Sequence, residues 1–109
     1  MAWLLRDGKV LASVEVLDGF LARSKGLLGR PGIDGAVLLR HTRAVHSLGM
    51  RFSLDIAFLD ADLVVVRTRK LRPFMAAPPC MKARSVLEAE AGAFARWSLQ
   101  GGDQLEVRE

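Results

Sequence analysis

Val10-Leu11-Ala12-Ser13-Val14-Glu15-Val16-Leu17 is the stretch whose reading decides the fold class. Val10, Ala12, Val14 and Val16 alternate with Leu11, Ser13, Glu15 and Leu17, and a period of two sends the two sets to opposite faces of a strand. Working outward toward the N-terminus, Asp7-Gly8 supplies a turn dipeptide that tolerates left-handed backbone, and Trp3-Leu4-Leu5 precedes it. The first seventeen residues therefore read as a β-hairpin. In the other direction Asp18 can cap a short helix in which Phe20, Leu21, Ser24, Leu27 and Leu28 recur at three-to-four spacing. Arg23 and Lys25 then face water, and Gly29 ends the helix.

Beyond Pro31-Gly32 and Asp34-Gly35, Ala36 to Leu39 reads as an apolar strand. Leu54 to Leu59 and Leu63 to Arg69 read as two more, on either side of Asp60-Ala61-Asp62, with Arg67 and Arg69 on one face. Their register stays open, because Ala-Asp is a poor pair for a two-residue hairpin turn. Arg72 to Cys80 holds three of the four prolines and is expected to be an irregular, partly extended loop. Ser85 to Glu90 is strand-like, Phe94 and Trp97 sit three apart on a short helix that stops at Gly101-Gly102, and Leu105 with Val107 forms a last strand. The expected fold is mainly β: a compact antiparallel β-sandwich or barrel-like domain of about seven strands with two short helices.

The chain has 109 residues, enough for one core and too few for two, so residues 1–109 are expected to form a single domain. The longest charge-free stretch, Pro73 to Met81, is too short for a membrane span, which needs about 18 apolar residues. Arg6 interrupts the apolar start, leaving no secretory segment. A cytoplasmic protein without a membrane partner is the expectation. The lone Cys80 makes no internal disulfide and holds no structural zinc by itself. Formal charge is +4, and twelve of the sixteen cations are arginine, the side chain suited to bidentate pairing with carboxylate or phosphate. Acids are spread among the bases and tyrosine is lacking. Sequence-specific nucleic-acid binding, which wants segregated charge and stacking aromatics, is disfavoured.

One segment brings titratable groups, a soft side chain and glycine together: Arg40 to Asp55, with both histidines and three arginines in a run that lacks any clear period. Within and after it, His46-Ser47-Leu48-Gly49-Met50-Arg51-Phe52-Ser53-Leu54-Asp55-Ile56-Ala57-Phe58-Leu59-Asp60 resembles the signature of the family called domain of unknown function 192, an uncharacterised ancient conserved region. Arg23-Ser24-Lys25-Gly26-Leu27-Leu28 resembles its early helix motif, where methionine is more usual at the position of Leu28. Ser85-Val86-Leu87-Glu88-Ala89-Glu90-Ala91-Gly92, followed by Gly102-Asp103-Gln104-Leu105, resembles its C-terminal part, although Glu90 and Ala91 stand where leucine- or proline-type residues are common. The resemblance spans nearly the whole chain and implies a compact, mainly β domain with short helices. It implies no established activity.

Read by residue chemistry alone, a small-ligand binding module is favoured, taking an anionic or hydroxylated small molecule between the loop Arg40 to Asp55 and the proline-rich loop Pro73 to Cys80. His46 and Asp55 would orient the ligand, Arg43 and Arg51 would neutralise charge, and Met50 and Phe52 would supply an apolar wall. Arg40 would join the clamp if the guanidiniums converge. The bland alternative gives His46 to its own loop, Asp55 to a turn at the head of its strand, and the arginines to ordinary surface. Two other functions stay open: a hydrolase or isomerase using His46 with Asp55 or Asp60 for proton transfer, and an interaction protein with a basic surface. No cofactor is expected, and no metal centre: His41, His46, Asp55 and Cys80 lack a standard ligand spacing. Phosphate-loop, dinucleotide and nucleophile-elbow motifs are missing.

Overall fold

The structure is a computed structural model and describes residues 2–18, 34–44 and 51–109. The first expected helix, and with it His46 and Met50, lies outside the described residues. Asp7 and Gly8 both take positive φ, at 54° and 78°, the backbone that a tight hairpin turn demands. They join strand β1 (Ala2–Arg6) to β2 (Lys9–Leu17), antiparallel, with a bulge between Leu4 and Leu5. β3 (Ala36–Arg40), β4 (Leu54–Leu59), β5 (Val65–Leu71), β6 (Ser85–Glu90) and β7 (Glu106–Arg108) complete the strands, with helix α1 (Ala93–Trp97) between the last two.

The seven strands found among the described residues lie in one sheet, in the order β5-β4-β6-β3-β2-β1-β7. β2 and β3 are parallel, Val14 opposite Ala36 through Leu17 opposite Leu39, and the other neighbours are antiparallel. This corrects the expected antiparallel sandwich or barrel: the sheet is single, mixed and not closed, and of the two expected helices the second is present while the first falls outside the described residues. The parallel pair follows from the length of the connection between β2 and β3, since a crossover needs about a dozen residues or more. An isolated bridge between Val64 and Gln104 ties the approaches to the two outermost strands without closing the sheet.

No second sheet is required because other parts of the chain bury both faces. On the first face Ala2, Leu4, Val14, Leu38, Ala57, Leu59, Leu87 and Ala89 pack with Phe94 and Leu105. On the second face Val37, Leu39, Leu54, Ile56, Phe58, Leu71 and Val86 pack with Ala77, Cys80 and Ala83. Those last three belong to the connection from β5 to β6. Leu71 and Ser85, its two ends, lie opposite Leu54 and Leu59, the first and last residues of β4. The connection therefore crosses the second face as a strap along β4.

β5 starts two residues later than the pattern placed it. Asp60 Oδ1 accepts hydrogen bonds from the backbone N–H groups of Asp62 and Val64, at 2.9 and 3.0 Å, and Leu63 takes a left-handed φ of 62°. A carboxylate that organises the turn holds these residues out of the ladder.

Candidate functional site

Asp55 is the second residue of β4 and alternation turns it to the first face, where it is 6 % exposed. Its Oδ2 accepts hydrogen bonds from the N–H groups of Gly92 and Phe94, at 2.9 and 3.1 Å. Those donors open α1 and have no partner within so short a helix. Asp55 thus anchors α1 to the sheet, Phe94 buries its ring in the first-face core, and Trp97, with its ring centroid 5.7 Å from that of Phe94, packs against the same cluster.

The other expected site residues take different places. Phe52 is half-buried against the second-face cluster, across the sheet from Asp55. Arg51 is exposed. Arg43 serves the strap: its Nε–H donates to the Ala83 carbonyl at 3.1 Å, and its own carbonyl accepts from the Cys80 N–H at 2.9 Å. His41 has a left-handed φ of 58° and its Nδ1 lies 2.9 Å from Asp18 Oδ1, an exposed pair. Asp60 is committed to its turn.

A cleft of about 650 Å³ opens where β2, β3, β4 and β7 end and β6 begins. Its apolar wall comes from Val16, Leu38, Leu63 and Val107, and its polar lining combines Arg40, Arg84, Ser85 and His41 with two carboxyls, Glu109 and the Asp60 that organises its own turn. Pairing explains their convergence. Arg40 lies opposite Ser85 across the β3–β6 ladder, and Ser85 lies opposite Leu59 across the β6–β4 ladder. The three thus form one row on the first face. The Arg84 backbone N–H, donating to the Leu59 carbonyl at 2.7 Å, holds the start of β6 in place. Ser85 is 5 % exposed and its Oγ has no hydrogen-bond partner. A buried hydroxyl without a partner costs about 1 to 3 kcal/mol, a cost that a ligand acceptor or donor in the cleft would relieve. Ser85 opens the family-like run Ser85 to Gly92 and Arg84 directly precedes it, but that likeness assigns them no role; only cross-strand pairing shows that Ser85 lies beside Arg40.

Glu88 is a second missed residue. It faces the second side of the sheet between Val37 of β3 and Ile56 of β4, it is 3 % exposed, and burial pushes its carboxyl up to about 7. Its shared parity with Val86 was the available signal: a charge at a core-facing position of a central strand. Among the described residues, no group of three or more His, Cys, Asp or Glu side chains could hold a metal ion, and no helix is long and apolar enough to cross a membrane.

Comparison with known proteins matches residues 2–107 to the model of the DUF192 family, described as an uncharacterised ACR. A UPF0127 protein of Pyrococcus abyssi is 32 % identical over 98 residues, covering 85 % of this chain and 84 % of the relative. A UPF0127 protein of Pyrococcus furiosus is 31 % identical over 103 residues, covering 90 % and 89 %. The crystal structure of a protein of unknown function from Novosphingobium aromaticivorans superposes with a TM-score of 0.81 at 19 % identity, covering 96 % of this chain and 82 % of that one. At that identity the likeness concerns the fold alone.

Proposed function

Because this chain belongs to the uncharacterised DUF192 family, whose membership assigns no activity, we propose from the cleft itself that the protein is a binding module for a small anionic, hydroxylated molecule. The observation that carries the reading is the Ser85 hydroxyl, buried without a partner in the wall of a cleft that Arg40 and Arg84 also line. The volume suits a small metabolite. In this reading the guanidiniums meet a carboxylate or phosphate, Ser85 Oγ exchanges a hydrogen bond with a ligand hydroxyl, and Val16, Leu38, Leu63 and Val107 cover its carbon skeleton. Asp55 has both of its observed hydrogen bonds in the scaffold, which weighs against its use as a catalytic partner.

Thermal unfolding in the presence of millimolar hydroxy acids and sugar phosphates tests the proposal, since a ligand that binds only the folded chain raises Tm. At least one compound should stabilise, the effect should shrink as salt is raised, and Ser85→Ala and Arg84→Ala should each weaken apparent affinity by roughly tenfold. A panel with no stabilising compound would remove the proposal. A ligand lost with His46→Ala yet kept with Arg84→Ala would move the site to the loop of residues 40–55.

A further inference from the structure

The strap that joins β5 to β6 has two sides. Ala77, Cys80 and Ala83 turn toward the sheet and are buried in the second-face core, so the residues between them face away from it. Phe74 is 68 % and Met81 72 % exposed, with Met75 at 36 % between them, and Pro78 and Pro79 are exposed as well. Phe74 holds this outward position at a φ of 62°, a backbone conformation that an aromatic residue adopts at a cost. Large apolar side chains left exposed along one segment are candidates for an interaction site.

Charge identifies the partner. Acids are spread among the bases over the rest of the chain, but the stretch from Leu63 to Leu87 is an exception: it carries Arg67, Arg69, Lys70, Arg72, Lys82 and Arg84 and no acidic residue. Arg67 and Arg69 lie opposite Phe58 and Ile56, so they share the second face with the strap, and the Arg67 guanidinium sits 5.4 Å from the centre of the Phe58 ring. Arg72 and Lys82 flank the apolar residues within the strap itself. Exposed apolar tips set among cations match an interface that is negatively charged at its surface and apolar just beneath. The described cleft belongs to the first face and the sheet's end, and the strap is a band of chain laid over the sheet.

We propose that the outer side of this strap docks the protein peripherally on an anionic lipid bilayer, with Phe74, Met75 and Met81 entering the interfacial layer and Arg67, Arg69, Arg72 and Lys82 meeting the headgroups. This contact needs no membrane span. It is also independent of the cleft, so Ser85→Ala should leave it intact.

Flotation of the purified chain with phosphatidylcholine vesicles, made with and without phosphatidylserine, tests the inference. The chain should float with the phosphatidylserine vesicles at low salt, stay behind with phosphatidylcholine alone, and be released as salt rises. Phe74→Ser combined with Met81→Ser, and separately Lys82→Glu, should each weaken partition by roughly tenfold. All three side chains are exposed, so an unchanged Tm confirms that the variants are folded. No flotation with phosphatidylserine vesicles, or equal flotation of the Phe74/Met81 variant, overturns the inference. Self-association that the same double variant abolishes, in a chain that does not bind vesicles, would assign the patch to a second copy and also overturn it.

Discussion

The two faces of the sheet treat their buried carboxyls in opposite ways. On the first face Asp55 receives two backbone N–H groups from the start of α1, and its burial is matched by charge-assisted hydrogen bonds. On the second face Glu88 lies between Val37 and Ile56, and desolvation drives its pKa to about 7. Both residues sit in central strands and both are almost without solvent. The difference shows that burial alone does not determine what a carboxyl does in this fold; the donors that the covering element brings decide it. A helix end supplies donors, whereas neighbouring aliphatic side chains supply none.

Removing the acceptor is the harshest way to break this contrast. Asp55→Ala leaves the Gly92 and Phe94 N–H groups unpaired and should lower unfolding free energy by roughly 4 kcal/mol, measured by urea denaturation. An equal loss from Asp55→Asn, which keeps an acceptor oxygen, would show that charge matters more than the hydrogen bonds.

Glu88 sharpens the contrast through pH. Its folded pKa of about 7 lies above its ordinary 4.5, so the folded chain holds this proton more tightly than the unfolded chain. Its contribution is fully present below pH 4.5, declines as pH rises toward 7, and is gone above that, for a total of about 3 kcal/mol. Glu88→Gln should remove the decline, and urea midpoints at pH 5 and pH 8 would then move together. A variant that loses stability between those pH values as the native chain does would assign the effect to another group.

The smallest effect is a reference that touches neither carboxyl. Gly35 has a φ of 73°, and a Cβ there would come 2.4 Å from Ser13 Oγ and 2.7 Å from the Ser13 carbonyl oxygen. Gly35→Ala should cost about 2 kcal/mol, equally at pH 5 and pH 8. A pH-dependent loss would mean that the entry to β3 is coupled to Glu88.

Much of the ladder was legible beforehand. The alternation of Val10 to Leu17, the Asp7-Gly8 turn and the apolar run Leu54 to Leu59 each announce a strand locally, and each is one. The parallel pairing of β2 with β3 was within reach too, since a strand followed by a helical pattern and a second strand is the order that a crossover requires. The sandwich expectation rested on the number of strands, which does not say whether they share one sheet, and β4 is buried on both faces from Leu54 to Leu59 without a second one. The strap and α1 do that covering here. Of the expected site, Asp55 accepts hydrogen bonds from the start of α1, and Arg43 donates one to the strap. Neither role has a sequence signature, because the carbonyl of Ala83 and the N–H groups of Gly92 and Phe94 lie about forty residues away along the chain.

What the amino-acid order determined by itself is local: strand or turn, the alternating faces, the lack of acids between Asp62 and Glu88, and the family likeness. Tertiary structure alone decided which strands are neighbours, and therefore that Arg40 and Ser85 share a row, that Glu88 is sealed between Val37 and Ile56, and that Phe74 and Met81 stand outward. The physical reason is that periodicity reports which side of a strand a residue occupies, whereas a site is made by residues of different strands, and their juxtaposition is set by long-range pairing that no local pattern encodes.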